Sequence, residues 1–592
     1  MSNGRTVMQV LESTVEKHGD SPALRVKEGG AWRATSYRRY RDDVRRAARG
    51  MMKLGLEPGL GVAIIGFNCP EWVVADVAAI YAGGVPAGIY TTSTPEQCQY
   101  IASHCDAAIA VVEDAEQLAK FVAVRAELPR LRAIVVMHGA ASGEGVHTWS
   151  ELLALGDAVP EADLEARMAA QRPDDVCTLI YTSGTTGQPK AVMITHDNVT
   201  WTAEQAISLL GVAAGEQAIS YLPLSHVAEQ MLSIHGPMRL GVCVWFAESL
   251  EKLGDNLREV RPHYFMGVPR VWEKIQEKMQ AAGAANSGLK KKLAAWARGV
   301  GLEGQRALEA GRPRPLLYGV ADKLVFSKVR ERLGLDRCRL QVTSAAPISR
   351  DTLEFFGSLG IPLYEVYGMS ECTGPATISL PGRIRTGKAG FAMPGTELKI
   401  AADGEVCMRG RHVFKGYLKN PEATGDTLDA EGWLHSGDVG TIDAEGFLQI
   451  TDRKKDLLIT AGGENIAPQL IEGMLKGIPV VSQAVVVGDR AKYLAALLTL
   501  DAAKVVQVAA ACGSPAKTAA EAATCPTFTA ALQLDIDGVN GKLARVQTVK
   551  RWTVLAGELT IEGGELTPTM KVKRKVVNEK YASEIAALYR EP

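Results

Sequence analysis

The chain has 592 residues and a formal net charge of −1, with 46% hydrophobic and 22% charged residues. This length predicts several subdomains with substantial cores, and the composition is that of an ordinary globular protein. The near-zero charge argues against a global basic field, so we expect no nucleic-acid partner. The ten Cys are scattered and form no C-x-x-C pair. That distribution argues against a zinc site or a disulfide framework and predicts reduced thiols in a cytoplasmic protein.

The N-terminal residues 1–20 are amphipathic and charged, and they lack the apolar core of a signal peptide. The most apolar stretch, Trp72–Tyr90, carries Asp76 and a Gly-Gly-x-Pro break. It therefore predicts a core helix followed by a strand rather than a membrane span. Any membrane contact is expected to be peripheral, and a homodimer is left open.

Strand-like and helix-like segments alternate through the first half of the chain. The apolar run "GVAIIGFN" is followed by "PEWVVADVAAIYAG", which predicts a helix that begins at Pro70 and ends before Gly83. Further strand candidates are "VPAGIY", "AAIAVVE" and "LRAIVVM". Such alternation predicts an α/β fold, with a large N-terminal domain of several subdomains built on mixed and parallel sheets.

Two later regions depart from this pattern. Residues 276–333 are charged and helical and are split by "RPRPLL". They predict an insertion of exposed helices, for which a solvated bracket is favoured over a binding role. At Asp452 the segment "TDRKKDLLITAGGENIAP" joins a smaller C-terminal part, in which Ala502–Thr527 is Ala-rich and expected to be helical. We predict domains 1–451 and 452–592, the second a small mobile α+β domain.

The stretch "YTSGTTGQPK", from Tyr181 to Lys190, predicts an anion-binding loop. Gly184 and Gly187 can adopt positive φ, which lets backbone N–H groups point into a common concavity. The hydroxyl donors and the cation of the loop are Ser183, Thr185, Thr186 and Lys190. This set suits phosphate oxygens. The loop is not a Walker A motif, because the following "AVMITH" indicates a strand rather than a helix.

A second stretch, "GRIRTGKA" at 382–389, nearly matches Walker A. Its last residue is Ala389, which cannot ligate magnesium, and the following "GFAMPG" breaks any helix. We therefore reject it as a nucleotide loop.

The segment "YTSGTTGQPKAVMITH" resembles the signature of the adenylate-forming, AMP-binding superfamily. Further segments resemble its other motifs in the same order: "YLPLSHVAEQ", "SAAPIS", "YEVYGMSECTG", "GWLHSGDVG", "DRKKDLLITAGGENIAP" and "LTPTMKVKRK". "GVPRVWEKI", the helical insertion and "EFFGSLGIPLYEVYGMSE" further resemble the long-chain fatty acyl-CoA synthetases, especially their bubblegum-type branch. The resemblance covers nearly the whole chain. It implies activation of a fatty acid by ATP to acyl-AMP with release of pyrophosphate, transfer to CoA, and a requirement for Mg²⁺.

The resemblance implies roles for residues around the nucleotide. Thr182 to Lys190 would wrap the β- and γ-phosphates, and Glu371 with Thr185 would hold Mg²⁺. Asp438 would accept hydrogen bonds from the ribose, with support from Arg453. The residues implied around the adenine and the phosphates are Ser344, Ala345, Ala346, Pro347, Tyr367, Gly368, Met369 and Ser370.

The resemblance also implies the acyl site and the catalytic cation. His226 would lie beside the acyl carboxylate and orient it rather than shuttle a proton. Candidates for an acyl tunnel are Met231, Gly267 and Val268, although apolar residues of this kind equally form plain core. Lys571 would stabilise charge during adenylation. The family pattern often has Gly where Met570 stands, and further cations follow Lys571 as far as Lys575, so the register decides which lysine acts.

Finally, the resemblance implies a hinge at Asp452–Lys455, about which the C-terminal domain would rotate after adenylation. Gly462 and Gly463, followed by Glu464, would then let the pantetheine of CoA pass close to the backbone. Two other functions stay open. One is an acyl-AMP ligase that loads a carrier protein in trans, and the other is a non-catalytic acyl- or nucleotide-binding protein. The presence of Glu371 and Lys571 argues against the second.

Overall fold

The computed structural model describes residues 4–182, 188–284, 287–461, 464–567 and 571–590. The phosphate-loop residues Ser183 to Gly187 and the glycines Gly462 and Gly463 lie outside the described residues.

A mixed eight-stranded sheet forms the centre of the N-terminal part. In spatial order its strands are Gly416–Tyr417, Lys190–Thr195, Val176–Thr182, Val85–Ile89, Gly61–Ile65, Ala107–Val112, Ala133–Val136 and Val146–Thr148. The first two pairings are antiparallel and the rest are parallel. Ala107–Val112 is buried along its whole length, as expected for a parallel strand covered on both faces. The predicted strands are confirmed.

The predicted helix at Pro70 is also confirmed. It spans Pro70–Tyr81, and Gly83 follows with φ of +79°, a conformation that glycine adopts without strain. Almost every side chain of this helix is buried, because it packs between the sheet and neighbouring helices. Asp76 therefore lies inside the protein rather than in a lipid-facing span. Within the described residues, no helix combines the length and the apolarity needed to cross a bilayer.

Three further sheets complete the N-terminal part. The first has the spatial order Gln217–Ser220, Cys243–Phe246, Pro22–Glu28 and Ala31–Ser36. The second has the order Tyr264–Gly267, Leu340–Thr343, Leu363–Met369, Gly374–Ile378 and Phe391–Ala392. The third is antiparallel, with Glu397–Ile400, Glu405–Arg409, Leu434–Ile442 and Leu448–Arg453. Residues 382–389 form turns rather than the start of a helix, as their rejection as a Walker A motif requires.

Helices cover these sheets. Besides Pro70–Tyr81, the helices described outside the insertion are Val7–His18, Tyr37–Lys53, Pro95–His104, Ala115–Ala123, Trp149–Asp157, Glu161–Ala170, His196–Leu210, Val227–Gln230, Gly236–Leu240, Leu253–Val260, Arg350–Gly357 and Pro421–Thr427. A π-helical turn, Met231–His235, joins two of them. The predicted insertion is helical, with Pro269–Ala284, Gly288–Glu309, Tyr318–Ala321, a π-helical turn Asp322–Phe326 and Ser327–Leu333.

The C-terminal part has its own core. A three-stranded sheet of Val481–Val487, Leu494–Leu500 and Val549–Val554 packs against helices, and Leu458–Ile459 pairs with Asn465–Ile466. Its helices are Pro468–Leu475, Ala502–Cys512, Ala519–Thr524, Pro526–Asn540, Arg574–Lys580 and Ala582–Leu588. The Ala-rich stretch is thus helical, as predicted. The predicted class, a large α/β part followed by a smaller α+β part, is confirmed.

Candidate active site

A cavity of about 2470 Å³ lies where the N-terminal and C-terminal parts meet. Its volume exceeds the few hundred Å³ that a small ligand occupies. We call one side the polar half, defined by Lys190, Glu371, Asp438, Arg453 and Lys571. We call the other side the apolar half; it is lined by Ala203, Ala206, Ile207, Leu210, Met231, Leu232, Leu240, Tyr264, Met266, Leu340 and Val342. The cavity can therefore hold an anionic group and a long apolar group together.

Most of the predicted site residues that the structure describes line this cavity. They are Thr182, Lys190, His226, Met231, Ser344, Ala345, Gly368, Met369, Ser370, Glu371, Asp438, Arg453, Lys455 and Lys571. Among the described residues, seven predicted ones are not part of the lining: Ala346, Pro347, Tyr367, Gly267, Val268, Asp452 and Glu464. The fold thus brings motifs that are far apart in the sequence, from Thr182 to Lys571, together around one cavity.

Glu371 lies in a 3₁₀ turn directly after the strand Leu363–Met369. Its Oε1 accepts a hydrogen bond of 2.7 Å from the Tyr417 hydroxyl. The Lys190 ammonium in turn lies 4.9 Å from the centroid of the Tyr417 ring. Burial raises the pKa of the Glu371 carboxyl, and the hydrogen bond from Tyr417 opposes this effect. A carboxylate facing the cavity beside the loop lysine is the hard oxygen donor that suits Mg²⁺.

Asp438 and Arg453 are cross-strand partners in the antiparallel sheet. This pairing brings the Arg453 guanidinium to 3.3 Å from Oδ1 of Asp438, while the Tyr367 hydroxyl donates a 2.8 Å hydrogen bond to Oδ2. Burial raises the pKa of Asp438, and the positive charge of Arg453 opposes the rise. Tyr367 thus supports the site through Asp438 rather than by facing the cavity. A buried, oriented carboxylate of this kind is a good acceptor for sugar hydroxyls.

Lys571 is held by two hydrogen bonds to Thr567. Its backbone carbonyl accepts a 2.8 Å hydrogen bond from the Thr567 N–H, and its own N–H donates to the Thr567 hydroxyl at 3.0 Å. Burial lowers the pKa of Lys571 to about 8; the charge of Arg453 adds to this effect, and those of Asp438 and Glu371 oppose it. The pKa of Lys571, in the C-terminal part, therefore depends on the charges of Arg453, Asp438 and Glu371 in the N-terminal part.

The other cations of this basic run are arranged differently. Arg574 forms an ion pair with Glu472 and donates to the Val486 carbonyl at 3.0 Å. Lys575 is exposed, and its ammonium lies 3.9 Å from Glu579. Lys573, Arg574 and Lys575 also line the cavity, but the carboxylate partners of Arg574 and Lys575 favour Lys571 over these two as the cation that reaches a bound anion.

His226 caps the short helix Val227–Gln230. Its Nδ1 accepts a 3.2 Å hydrogen bond from the Ala228 N–H, which leaves the ring proton of the neutral tautomer on Nε2. Burial, together with the smaller effect of the Lys571 charge, lowers the pKa of His226 to about 4. The imidazole is therefore neutral near pH 7 and can donate one hydrogen bond to a carboxylate.

A buried network fixes the segment that follows His226. The Glu229 carboxylate accepts 2.6 Å hydrogen bonds from Ser220 and Ser233, and Asn68 donates to the Ser220 hydroxyl at 2.8 Å. Burial raises the pKa of Glu229 to about 7. Ser233 belongs to the π-helical turn that carries Met231, so the network holds that turn in place. Sequence reasoning missed Glu229, because a lone Glu is normally a surface charge.

The backbone is crowded where the adenine-binding segments were predicted. Ala345 lines the cavity with φ of +74°, a strained conformation for a residue with a side chain. At Gly368 an added Cβ would lie 1.8 Å from the Gly374 carbonyl oxygen, so only glycine fits. The strands Leu363–Met369 and Gly374–Ile378 therefore approach each other closely at the edge of the cavity.

The apolar half is built from one helix face and two strands. On the helix His196–Leu210, residues Ala203, Ala206, Ile207 and Leu210 follow the i, i+3, i+4, i+7 spacing of one face. This stripe extends about 10 Å along the helix axis. The π-helical turn and the strands Tyr264–Gly267 and Leu340–Thr343 supply the other walls. The helical spacing could have identified an apolar helix face from sequence, but it does not distinguish a cavity wall from a filled core.

Gly267 and Val268 directly follow Met266, which lines the cavity. An added Cβ at Gly267 would lie 2.6 Å from Nε1 of Trp272, an indole that donates to the Val342 carbonyl at 3.1 Å. Gly267 therefore leaves space for the buried Trp272 side chain behind the apolar half of the cavity.

The predicted hinge lies at the end of the strand Leu448–Arg453. Oδ1 of Asp452 accepts from the Arg453 N–H at 2.6 Å, and Oδ2 accepts from the Gln469 N–H at 3.1 Å. Lys454 pairs with Asp403 at 2.6 Å and with Glu405 at 3.0 Å. The junction is thus held by contacts to both parts of the chain.

Comparison with known proteins assigns both the N-terminal and the C-terminal part of the chain to one enzyme family. Residues 11–418 match the AMP-binding enzyme family, and residues 455–592 match the AMP-binding enzyme C-terminal domain. The long-chain-fatty-acid–CoA ligase ACSBG2 of Xenopus laevis is 46% identical over 619 residues, which cover 99% of this chain and 84% of that protein. Human ACSBG2, also a long-chain-fatty-acid–CoA ligase, is 38% identical over 99% of this chain and 92% of its own length. The predicted resemblance is confirmed.

Solved structures support the fold. The anthranilate CoA ligase AuaEII, crystallised with anthranoyl-AMP, superposes with a TM-score of 0.76 at 21% identity and covers 99% of both chains. The adenylation domain of a carboxylate reductase from Mycobacterium chelonae superposes with a TM-score of 0.78 at 22% identity, covering 99% of this chain and 92% of that one.

Proposed function

The chain belongs to the AMP-binding enzyme family, and we propose that it is an ATP-dependent ligase that joins long-chain fatty acids to CoA. The observation that carries this proposal is the cavity in which Lys571 and Glu371 share a volume of about 2470 Å³ with the apolar stripe Ala203–Leu210. An acyl chain fits the apolar half and a nucleotide fits the polar half, so the two reacting groups meet between them.

The polar half supplies the contacts that ATP requires. Lys190 and the loop residues Ser183 to Gly187 would hold the β- and γ-phosphates, and Asp438 would hold the ribose. Glu371, with Thr185, would hold Mg²⁺, which when bound neutralises phosphate charge. Tyr417 supports this role, because its hydrogen bond keeps one Glu371 oxygen in place.

In the first step a fatty acid carboxylate oxygen attacks the α-phosphorus of ATP. The bond from that phosphorus to the pyrophosphate oxygen breaks, which yields acyl-AMP and pyrophosphate. Two anions approach each other, so a pre-positioned cation lowers the barrier. Lys571, still largely protonated near pH 7, would be that cation. The Nε2–H of His226 would hold the carboxylate in line.

In the second step the CoA thiol loses its proton, its sulfur attacks the acyl carbonyl carbon, and AMP leaves. Because Lys571 is needed only in the first step, the C-terminal domain can turn away about the hinge Asp452–Lys455. Gly462, Gly463 and Glu464 would then line the pantetheine path. The two family matches end and begin on either side of 419–454, which supports a domain boundary at 451/452.

A substrate series tests the proposal. Purified protein is incubated with ATP, Mg²⁺ and acids from acetate to very long chains, with CoA or with an acyl carrier protein, and both pyrophosphate and thioester are measured. Long-chain acids with CoA should give equal amounts of both products. Reaction only with acetate or an aromatic acid would refute the long-chain assignment. Transfer only to the carrier would make the chain an acyl-AMP ligase, and no pyrophosphate with any acid would make it a binding protein.

A further inference from the structure

The segment 288–328 of the helical insertion is strongly basic. It contains nine Lys and Arg against three Asp and Glu, a net charge of +6, in a chain whose formal net charge is −1. The cations are Lys290, Lys291, Lys292, Arg298, Arg306, Arg312, Arg314, Lys323 and Lys328. The cation excess is therefore local and belongs to one exposed element.

These cations are not neutralised by carboxylates. Within the part of the chain that the structure describes, none of the nine forms an ion pair, although Arg298 and Arg314 lie against aromatic rings. The helix Tyr37–Lys53 is an internal contrast, because each of its six arginines is paired with an Asp or a Glu. Surface cations are paired there and left available in the insertion.

Apolar side chains stand among these cations. Leu316 is 100% exposed, Leu317 53%, Val320 46% and Leu324 44%. Val320 and Leu324 are four residues apart on the helical turns Tyr318–Phe326, which places them on one face, and Leu316 and Leu317 lie in the turn directly before these residues. Several of these side chains are large and contiguous in sequence, unlike the scattered single exposures of an ordinary surface.

The opposite face of the same turns anchors them to the protein. Ala321 and Phe326 are fully buried, and Phe326 and Tyr318 pack where Gly301 and Gly304 of the helix Gly288–Glu309 leave room. The exposed leucines are therefore presented by a rigid support. We call Arg312, Leu316, Leu317, Val320, Lys323, Leu324 and Lys328 the insertion patch.

We propose that the insertion patch docks on the surface of an anionic phospholipid bilayer. A helical face that combines exposed leucines with flanking cations binds such surfaces by burying apolar area and by attraction to lipid phosphates. A nucleic acid would use the cations but gives no role to the leucines. Because none of these cations has a carboxylate partner among the described residues, they can meet lipid headgroups.

The position of the patch gives docking a purpose. Leu308, in the last turn of the helix Gly288–Glu309, packs in one cluster with Leu210, Tyr264, Leu340 and Val342, which line the apolar half of the cavity. The insertion thus lies directly behind the wall of the acyl tunnel. Docking would bring that wall to the membrane in which long-chain acids dissolve. This inference goes beyond the proposed function, because docking requires neither ATP nor catalysis.

Vesicle sedimentation of the full chain tests the proposal without ATP or CoA. The vesicles are pure phosphatidylcholine, or equal parts of phosphatidylcholine and phosphatidylglycerol. The protein should sediment with the anionic vesicles and dissociate as salt rises. The variant L316S/L317S/V320S/L324S and the variant R312E/K323E/K328E should each bind at least about tenfold more weakly.

Matched controls keep the result specific. V122S/V506S/L534S/V546S removes four comparably exposed apolar side chains elsewhere, and K517E/K542E/K550E makes the same charge change in the C-terminal part. Both controls should bind as the unmodified protein does, and thermal melting should show all variants folded. Three outcomes would overturn the proposal: no binding of the unmodified protein to anionic vesicles, equal loss in patch and control variants, or binding to an oligonucleotide that the serine variant leaves intact while vesicles are ignored.

Discussion

The polar and apolar halves of the cavity are built in opposite ways. The polar half depends on a few charged side chains, each fixed by a named partner, such as Glu371 by Tyr417 and Asp438 by Arg453 and Tyr367. The apolar half depends on a wall, in which Ala206 or Ile207 contributes volume rather than a specific bond. Chemistry therefore resides in single atoms on one side and in shape on the other.

Because of this difference, we expect substitutions in the two halves to have different effects on activity. A change in the polar half should abolish a step or weaken a ligand, because no neighbour can replace a missing charge. A change in the apolar half should redirect substrate choice, because hydrophobic cores tolerate exchange at constant volume but not overpacking.

Lys571→Ala breaks the polar half most directly. Loss of a pre-positioned cation should reduce acyl-AMP formation by about 10³-fold, while thioester formation from supplied acyl-AMP largely persists. Pyrophosphate release and thioester formation, measured separately, distinguish the two steps. Lys575→Ala, in the same basic run but paired with Glu579, should leave both steps unchanged. Equal loss of both steps in Lys571→Ala would contradict its assignment to adenylation.

Ala206→Trp changes the apolar half. The indole would fill the middle of the stripe on the helix His196–Leu210, so activity with palmitate should fall by about 100-fold while octanoate is still used. The ratio of kcat/KM values for the two acids measures the shift. Ser208→Trp, on the exposed side of the same helix, is the control. If Ala206→Trp and Ser208→Trp had the same ratio, the acyl chain would not lie along this stripe.

Asp438→Asn weakens the nucleotide contact without changing side-chain volume. A hydrogen bond to a carboxylate contributes about 2 kcal/mol, so KM for ATP should rise about thirtyfold. KM for the fatty acid should not change, since the acyl half is untouched. Asp443→Asn, which removes a surface pair with Lys388, provides the comparison. An increase in both KM values would show that Asp438 acts on the fold rather than on ATP.

The pH dependence of kcat/KM tests the charge of Lys571 itself. Its pKa is lowered to about 8, so the side chain is a cation below that pH and loses its charge above it. Adenylation should therefore decline by about tenfold for each unit above pH 8. Lys571→Arg keeps its charge and should lack this alkaline decline, whatever its absolute rate. A decline of equal midpoint in Lys571→Arg would assign the titration to another group.

Tyr417→Phe sharpens the role of the Glu371 support. Loss of a hydrogen bond worth about 1 kcal/mol should raise the Mg²⁺ concentration at half-maximal activity about fivefold. Titration of activity with Mg²⁺ at fixed ATP measures this shift. Tyr493→Phe removes a comparable hydroxyl, which donates to the Leu588 carbonyl at 2.8 Å, and should leave the Mg²⁺ dependence unchanged. An unaltered Mg²⁺ dependence in Tyr417→Phe would separate Glu371 from the metal.

The sequence allowed the polar half to be located because its chemistry needs particular residue types. Glu371, Asp438 and Lys571 stand in short segments whose glycines and hydroxyls restrict their surroundings, and these segments meet in the cavity. The strands and the helix predicted between residues 61 and 137 likewise follow from apolar periodicity. The roles of these site residues, like those of the loop residues 183–187 and of Gly462 and Gly463, stay predictions.

The apolar half was less readable for a physical reason. Ala206, Ile207 and Leu210 have the spacing of any core-facing helix, and nothing local separates a tunnel wall from a filled core. The π-helical turn Met231–His235 has no periodic signature, since it arises from one shifted hydrogen-bond register. The sequence favours a solvated bracket for the insertion, because only the folded chain distinguishes an exposed Leu316 from a buried one.

The central claim is that one cavity holds an acyl chain and a nucleotide at the same time, with Lys571 between them. A crystal structure with a stable palmitoyl-adenylate analogue tests it most directly. We expect the ribose of the analogue to bind at Asp438, its carbonyl to lie near His226 and Lys571, and its alkyl chain to lie along Ala203–Leu210. An adenosine bound away from Asp438, or an alkyl chain outside the helix His196–Leu210, would contradict it.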